Sequence, residues 1–388
     1  MRRARWAAWM AAAALAAACA APNAARLPQQ AESAQPVALQ FPPPRRVESP
    51  GYGFEAYLWW KPEIATRDLG LIREAGFKWV KQTFAWRDIE IEKGTYDWSR
   101  ADQVVFLATE VFTRNLIARL DREPYWDRRD YPLDQGVAAG PPRDLQHFFD
   151  FCAAIAARYK GKIAAYQVWN EPNLAREWGG MPPDPRAYVE MLKGCYLAIK
   201  QADPDALVIS AGLAPTGNGP PLAMPDDQFL IAMYEAGAAP YFDLLGVHAP
   251  GFRAAPETPP GMAVSIPELG GQRFFAFRRV EDLRAIMERF GDGHKQVAVL
   301  EFGWTTDPVN VNYAWFAIDE QLKADYMVRA FRWARQNWRP WIGPMIALSI
   351  PQFDWTPQNE QYWWAVVEPH YPETRTRPAY EALKAMDK

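Results

Sequence analysis

The residues in this chain that are best suited to catalysis are an amide and a carboxylate that are adjacent in the sequence, Asn170 and Glu171. They lie in the pentapeptide Trp-Asn-Glu-Pro-Asn, directly after the apolar run 163–168. Pro172 cannot donate a hydrogen bond to a sheet and restricts the residue before it to extended geometry, so we expect a strand to end at Glu171. An isolated Glu is most often a solvated surface charge. The strand context and the flanking Trp and Pro favour a functional carboxylate instead.

A second carboxylate, Glu301, ends a continuous run of Val, Ala and Leu at residues 297–300. Such a run is typical of a strand that is buried on both faces. A buried acid is costly unless it has a partner or a use. The alternative interpretation is a structural Glu that pairs with a neighbouring Lys or Arg. Because Glu171 is a second candidate carboxylate, we favour a functional role for Glu301.

The elements that must position these two residues alternate between strand and helix along residues 49–388, which predicts an α/β fold, a single (β/α)8 TIM barrel. The predicted strands cover residues 52–58, 78–84, 115–120, 163–168, 207–211, 242–247, 296–304 and 345–350. The predicted helices cover residues 62–75, 101–112, 142–159, 184–201, 229–235, 280–290, 320–337 and 380–386. Because such barrels keep their chemistry at the carboxyl ends of the strands, Glu171 and Glu301 are expected to face each other across the mouth.

The segment around Glu171 resembles the acid/base motif of the retaining glycoside hydrolases of clan A, most closely families 39 and 5, in which Asn-Glu-Pro closes strand four. The segment Gly-Thr-Tyr-Asp-Trp at residues 94–98 is similar to the loop after strand two of those enzymes. The resemblance implies that Glu171 is the general acid/base, that Glu301 is the nucleophile, and that Asn170 binds a sugar 2-hydroxyl. It therefore implies a glycosidase that acts on a carbohydrate substrate, an oligo- or polysaccharide, without a cofactor.

Glycosidase chemistry sets two further expectations for this pair. Retaining enzymes hold their two carboxyl groups about 5 to 5.5 Å apart, which leaves no room for a water between them. Glu171 must also have a high pKa while Glu301 is charged, and a lower one once the glycosyl ester has formed.

Other polar residues are expected to support the pair. His248, at the end of predicted strand six, matches a clan A histidine near the nucleophile, and a purely structural role is the alternative. Lys81 stands where clan A enzymes often carry an Arg beneath the nucleophile, and Pro250 stands where they often carry a Tyr. Arg119 and Asp121 share one face of strand three, where they either orient a carboxylate or form an internal ion pair.

The chain contains 18 Trp residues, and many of them fall in the predicted loops at the mouth of the barrel. Flat aromatic faces match the apolar faces of pyranose rings, so as a group they suggest several sugar subsites, although each one alone is more readily explained by packing. Trp355 resembles the clan A platform under the cleaved sugar, and Trp304 and Trp86 are further candidates for substrate binding. The whole set is Trp86, Trp126, Trp178, Trp304, Trp315, Trp355, Trp363 and Trp364.

The amino-terminal part has the layout of an export signal followed by a linker. Three arginines precede an Ala-rich apolar run that ends near residue 21, which predicts a signal peptide at residues 1–21. Lipidation at Cys19 and simple secretion both remain open. The Pro- and Ala-rich stretch at residues 22–48 predicts a disordered linker. We therefore expect an exported protein, extracellular or anchored on the outer side of the cytoplasmic membrane.

Composition and spacing disfavour several other functions. The formal charge of −3 and the lack of a long basic stripe argue against nucleic-acid binding. The four histidines lie far apart in the sequence and form no metal-binding motif, so no metal site is expected. Two alternatives remain: a non-catalytic polysaccharide-binding barrel, and a transglycosylase that acts on envelope polysaccharide.

Two cysteines, Cys152 and Cys195, fall on predicted helices three and four. A disulfide between them is compatible with an exported protein. Because connectivity cannot be read from a sequence, we favour two buried thiols.

Overall fold

A computed structural model of the chain describes residue 41, residues 45–131 and residues 136–388. The predicted signal peptide and most of the predicted linker lie outside the described residues. Residues 41–388 form one compact unit. None of the helices in the described part of the chain is long and apolar enough to cross a membrane.

Eight parallel strands close into a barrel in sequence order, each paired with the next and the last with the first. Their bounds are β1 Gly51–Glu55, β2 Trp79–Ala85, β3 Asn115–Asp121, β4 Ala165–Val168, β5 Leu207–Ile209, β6 Leu244–His248, β7 Gln296–Phe302 and β8 Ile342–Ala347. The (β/α)8 prediction is therefore confirmed. The strand bounds differ from the predicted ones by a few residues at their ends.

A helix follows each strand and packs on the outside of the barrel. The helices are α1 Pro62–Glu74, α2 Ser99–Val105, α3 Leu145–Arg158, α4 Pro185–Ala202, α5 Asp226–Glu235, α6 Arg279–Arg289, α7 Glu320–Asn337 and α8 Pro378–Ala385. The side chains of Asp144, Asp184 and Asp319 accept hydrogen bonds from backbone N–H groups in the first turns of α3, α4 and α7, which fixes where these helices begin. The prediction for helix two is wrong in part, because α-helical structure ends at Val105 and a π-helical segment, Phe106–Val111, follows.

Apolar side chains form two layers. The larger layer lies between the strands and the surrounding helices. A smaller layer fills the barrel interior and is built from Trp79, Ile117, Ala165, Leu207, Ile209, Leu244, Ala298, Leu300 and Ile346. This inner layer closes the lumen from below, so polar side chains above it are held at the carboxyl ends of the strands.

The last residues of the predicted linker are ordered against the barrel, which corrects the boundary at residue 48. The backbone N–H of Val47 donates to the side-chain oxygen of Gln296 at 2.8 Å, and the Gln296 amide donates to the Val47 carbonyl at 3.2 Å. The Val47 side chain packs against the inner apolar layer. Phe41 contacts the Tyr196 ring edge-on, with 5.9 Å between the ring centroids.

Cys152 on α3 and Cys195 on α4 form a disulfide, with Cα atoms 5.5 Å apart. The prediction of two buried thiols is therefore wrong. Both residues are fully buried, as predicted, but helices α3 and α4 pack side by side and bring the two sulfurs together.

Candidate active site

Glu171 reaches the barrel mouth through a sharp bend rather than an extended strand end. Strand β4 stops at Val168, and the backbone then passes through positive φ at Trp169 (69°) and Glu171 (40°). The expectation that Pro172 keeps Glu171 extended is therefore wrong. The Glu171 N–H donates to the carbonyl of Gly212 at 3.1 Å, which holds the bend against the loop after β5. Positive φ at bulky residues costs energy and is found most often at functional sites.

Buried side chains fix this bend from both sides. The Trp169 ring is fully buried and donates from Nε1 to the Glu177 carbonyl at 2.9 Å. Asn173 is also fully buried and exchanges hydrogen bonds with the backbone of Ala214, at 2.8 and 2.9 Å. Trp169 and Asn173, at the two ends of the Trp-Asn-Glu-Pro-Asn motif, are thus held by hydrogen bonds, while Asn170 and Glu171 between them face the cavity.

Glu301 reaches the mouth because strand β7 slips by one residue against β6. Val247 lies opposite Val299, but His248 lies opposite Glu301, so β7 carries one extra residue at this point. Irregularities of this kind redirect side chains near active sites. Leu300 belongs to the inner apolar layer, and the slip allows Glu301, the next residue, to reach the same lumen.

His248 stands between the two glutamates. Its Nδ1 lies 2.9 Å from Oε1 of Glu171, and its Nε2 lies 3.6 Å from Oε1 of Glu301. One oxygen of each carboxylate and one ring nitrogen of His248 all lie within 4.8 Å of one another. The structure thus brings together the three residues that the sequence singled out on strands four, six and seven.

Beneath Glu301 lies a buried charge network. The fully buried Lys81 Nζ is 2.7 Å from Glu301 Oε1 and 3.2 Å from Glu55 Oε1. Arg119 pairs with Asp121 at 2.9 Å and lies 3.7 Å from Glu301. Arg119 therefore forms an internal ion pair with Asp121 and also faces the carboxylate of Glu301, so the two alternatives considered for it do not exclude each other.

Glu55 was missed by the sequence analysis. It ends strand β1 and is only 4% exposed. A signal was present, because Glu55 closes an apolar strand in the same way as Glu301. Burial raises the pKa of Glu55, and the opposing charge of Lys81 does not overcome this effect.

The two candidate catalytic carboxyl groups are both stabilised as anions in the free site. Burial acts to raise the pKa of Glu301, but the charges of His248, Lys81 and Arg119 lower it to about 2. Burial also acts to raise the pKa of Glu171, but His248 and Arg176 outweigh it, so this pKa too lies below its usual value. A high pKa of Glu171 was expected, and the free site does not provide it.

Arg176 is a second residue that the sequence analysis missed. Its Nη2 donates to Oε2 of Glu171 at 3.0 Å, and its side chain is 55% exposed. Nothing in the sequence distinguishes this arginine from the many others on the surface. Its position follows only from the turn that brings residue 176 back over residue 171.

A cavity of about 940 Å³ opens above the two glutamates. Of the residues predicted to bind substrate, Asn170, Arg119, His248 and Trp355 line it, while Lys81 lies below its floor. The ring of Tyr57 packs edge-on against Trp355, with 4.7 Å between the centroids. The lining also includes Glu177, Glu360, Tyr313, Ser349, Leu348, Thr216, Asn218, Phe316 and Trp364.

Several tryptophans predicted to form an aromatic rim are part of the core instead. Trp86 and Trp304 are fully buried, so the prediction that they bind substrate is wrong. Trp86 donates from Nε1 to Glu90 at 2.6 Å, and Trp304 donates to the Ala254 carbonyl at 2.9 Å. Trp178 is buried as well, whereas Trp355 and Trp364 line the cavity and Trp315 is 44% exposed. Aromatic packing under the loops therefore accounts for part of the abundance of Trp.

The three grouped atoms of Glu171, His248 and Glu301 are also close enough together to hold a small cation. Lys81 and Arg176 already pair with the two carboxylates. The site therefore needs no metal ion to neutralise them, and we assign none.

Comparisons with known proteins were made for sequence and for structure. The glycoside hydrolase family 42 model, described as β-galactosidase, matches residues 54–132, which run from the end of strand β1 through β3 and end before Glu171. No curated protein sequence matches the chain.

Several solved structures share the barrel. A family 39 glycoside hydrolase from Bacteroides cellulosilyticus WH2 has a TM-score of 0.59 at 20% identity, over 87% of this chain and 63% of that enzyme. A glucosidase from Croceicoccus marinus has a TM-score of 0.61 at 14% identity, over 89% of this chain and 68% of that enzyme. A variant of an endo-β-1,4-glucanase from Xanthomonas axonopodis pv. citri has a TM-score of 0.55 at 14% identity, over 86% of this chain and 98% of that enzyme.

The chain thus spans less than two thirds of the family 39 enzyme but nearly all of the endo-glucanase. At these identities the likeness concerns the fold. Together with the partial family match, it confirms the resemblance inferred from the sequence: the chain has the eight-stranded parallel barrel of the clan A glycoside hydrolases.

Proposed function

We propose that the chain is a retaining glycosidase that hydrolyses O-glycosidic bonds of an oligo- or polysaccharide, with Glu301 as nucleophile and Glu171 as general acid/base. The observation that carries this proposal is the close approach of the two carboxylates, whose nearer oxygens are within 4.8 Å of each other. Inverting enzymes hold a water between carboxyl groups roughly 6.5 to 9.5 Å apart, and two carboxylates whose oxygens approach this closely leave little room for one, which favours direct attack by a carboxylate.

In the first step, Glu301 attacks the anomeric carbon while Glu171 donates its proton to the departing glycosidic oxygen. Glu301 suits this role because Lys81 and Arg119 keep it anionic without covering both of its oxygens. In the second step, Glu171 removes a proton from a water, which attacks the glycosyl ester and frees Glu301 with the original anomeric configuration. Asn170, which faces the same cavity, would bind the sugar 2-hydroxyl.

The size of the site supports a substrate longer than one sugar. A second cavity of about 320 Å³ adjoins the first and shares Pro215, Thr216, Asn218, Phe252 and Phe316 with it. Its remaining lining combines neutral amides with aromatic rings, namely Gln272, Asn312, Phe274, Phe275 and Trp315. Aromatic faces with a few polar groups are suited to an uncharged sugar unit.

The decisive experiment is hydrolysis of a panel of aryl glycosides and polysaccharides, with the anomeric configuration of the products followed by NMR. Retention of configuration is expected, and both Glu171→Gln and Glu301→Gln should lose activity by several orders of magnitude, about 10³-fold or more. Glu288→Gln, on the outer helix α6, is the matched control because the Glu288 carboxylate pairs with Arg284 away from the cavity.

Three results would overturn the proposal. Products with inverted configuration would remove Glu301 as a nucleophile. Binding of glycans without any cleavage would favour the polysaccharide-binding barrel, while transfer to sugar acceptors in place of water would favour the transglycosylase.

We also infer export from the cytoplasm. Disulfides persist in oxidising compartments and are rare in the cytosol of most organisms, so the Cys152–Cys195 bond supports this location. Cell fractionation of the wild type and of Cys19→Ser tests it. Loss of membrane association in the variant would favour a lipid anchor, and a cytosolic wild type would contradict export.

A further inference from the structure

Both oxygens of the Glu171 carboxylate are occupied in the free site. Oε1 lies 2.9 Å from Nδ1 of His248, and Oε2 accepts a hydrogen bond from Nη2 of Arg176 at 3.0 Å. A general acid must present one oxygen, with its proton, to the departing glycosidic oxygen. One of these two partners therefore has to move before Glu171 can act.

Arg176 is the partner that is free to move. Its side chain is 55% exposed, whereas that of His248 is 2% exposed. The arginine lies on a short turn, Ala175–Glu177, whose backbone is fixed by a hydrogen bond from Ala175 to the Leu222 carbonyl at 2.9 Å. The side chain thus projects from a fixed base into the open cavity and can swing away from Glu171 without any change of backbone.

We propose that Arg176 is a positioning residue that holds Glu171 as a carboxylate in the free site and leaves Oε2 when the leaving group of the substrate arrives. This inference rests on the proposed glycosidase function. It explains how a Glu171 that is anionic in the free site becomes the acid of the first step.

When Arg176 leaves, solvent supplies one proton to Glu171. That proton moves to the glycosidic oxygen as the bond from this oxygen to the anomeric carbon breaks and the bond to Glu301 forms. Arg176 stays away from Oε2 while the anionic Glu171 takes a proton from the attacking water as the Glu301 ester breaks. Glu171 then releases this proton to solvent, and Arg176 returns to the anion.

Other charged groups face Glu171 and act on the same proton. Arg176 is the half-exposed cation among them, while buried His248 stabilises the anion in the free site. The anionic neighbours oppose both, since Glu301 and Glu177 repel a charged Glu171. The groups from the elements packed around Glu171 are His248 on β6, Glu301 on β7, Arg176 and Glu177 on the turn, and Tyr313 on the short helix Val311–Ala314.

The first test needs no substrate. Protein labelled with 13C at the glutamate carboxyl carbon is titrated by NMR, and the Glu171 signal is assigned by its loss in Glu171→Gln. In Arg176→Gln the pKa of Glu171 should rise by roughly one unit, the low end for a neighbouring Arg because this one is half-exposed. Arg253→Gln is the matched control, since Arg253 is exposed on a loop at the same rim and hydrogen-bonds only the Trp315 carbonyl.

The second test uses any aryl glycoside that the panel shows to be cleaved. The basic limb of the kcat/KM profile reports the acid of the free enzyme. This limb should move upward by the same roughly one unit in Arg176→Gln, and Arg176→Lys should restore most of the wild-type profile. A merely structural arginine would lower kcat or stability without moving this limb.

The outcomes separate this inference from the proposed function. An unchanged Glu171 titration in Arg176→Gln would overturn the role of Arg176, even if the enzyme cleaves glycosides. A shifted titration in a protein that cleaves no glycoside would support the pairing and its control of Glu171, while refuting the hydrolase.

Discussion

At the scale of single residues, Gly212 contacts both Glu171 and His248. Its carbonyl accepts the N–H of Glu171, and its Cα lies directly against the ring of His248. A Cβ built at this position would come within 2.2 Å of the imidazole. Gly212 thus sets the distance between the bend that carries Glu171 and the histidine that bridges both glutamates.

Gly212→Ala is therefore expected to displace His248 and lower kcat/KM by about 10²-fold, the cost of a misplacement of about 1 Å. Steady-state kinetics beside thermal unfolding measure this. Gly219→Ala lies on the same loop, where an added Cβ meets nothing within 4 Å, and should behave as the wild type. Equal activity of the two variants would mean that the position of His248 is not critical.

Lys81 contributes to the free energy of unfolding, because it is a fully buried cation between two carboxylates, Glu55 and Glu301. Lys81→Met should destabilise the fold by about 3 to 5 kcal/mol, since it leaves these charges uncompensated. Lys78→Met, which removes an exposed pair with Glu48 near the start of the same strand, should cost at most about 1 kcal/mol. Urea unfolding of both variants at pH 7 makes the comparison.

The same substitution has a predictable pH dependence. The pKa of Glu301 is about 2 in the folded protein, and a free glutamate has a pKa of about 4.3. The resulting stabilisation is fully present above about pH 4.3 and is lost as the pH falls through 2. In Lys81→Met the folded pKa rises, so the loss should occur at higher pH. Superimposable acid unfolding curves would contradict the pairing.

The sequence was sufficient to locate residues at or just beyond the ends of strands. The positions of Glu171, His248 and Glu301 could be predicted because each follows an apolar run and the barrel brings strand ends together. Glu55 obeys the same rule and could have been found. Gly212 and Arg176 could not, because their roles depend on how two loops bend toward each other.

At the scale of elements, a buried lysine contacts the wall that carries Glu360 and Trp364. Lys323 on α7 donates from Nζ to the carbonyls of Trp363, Trp364 and Ala365, each at 2.9 Å. These carbonyls close the short helix Glu360–Trp364, which lines the cavity after strand β8. The ammonium group therefore fixes the position of that wall.

Lys323→Met should remove a donor from each of these carbonyls, of which those of Trp363 and Ala365 keep Thr306 and Arg377, and should destabilise the protein by about 1 to 3 kcal/mol. It should also raise KM, because the wall loosens. Differential scanning calorimetry and kinetics provide the two readouts. The exposed pair of Lys384 with Glu74 supplies a control, so Lys384→Met should change neither. A normal KM in Lys323→Met would show that the wall is held by other contacts.

Helix and strand positions were predictable where a local signal marks an end. Helix α7 covers the predicted residues 320–337, because Asp319 caps its first turn. Strand β7 was predicted to run to residue 304 and ends at Phe302, since the register slip near Glu301 depends on pairing with both neighbours. The π-helical segment after α2 left no recognisable pattern in the sequence.

At the scale of the whole molecule, the Cys152–Cys195 bond links α3 to α4 across 43 residues of chain. These residues include strand β4 and the Glu171 loop. Closing a loop of that length in the unfolded chain is worth about 4 kcal/mol in the entropic account. The bond therefore stabilises the part of the barrel that carries the candidate acid.

The double variant Cys152→Ala/Cys195→Ala should accordingly lose about 2 to 4 kcal/mol of unfolding free energy with little change in kcat, since both residues are buried away from the cavity. Unfolding with and without dithiothreitol checks this. The wild type should respond to the reductant and the double variant should not. A wild type insensitive to complete reduction would contradict a stabilising role.

The segment around Val47 determines which residue an expressed catalytic domain should begin with. The Gln296 side chain exchanges two hydrogen bonds with Val47, while the valine side chain rests on the apolar interior of the barrel. An expression clone that starts at residue 49, where the composition first becomes that of a folded domain, would remove the Val47 side chain that packs against the inner apolar layer. Clones for crystallisation or enzymology should instead begin upstream of Phe41, so that the floor stays closed beneath the site under study.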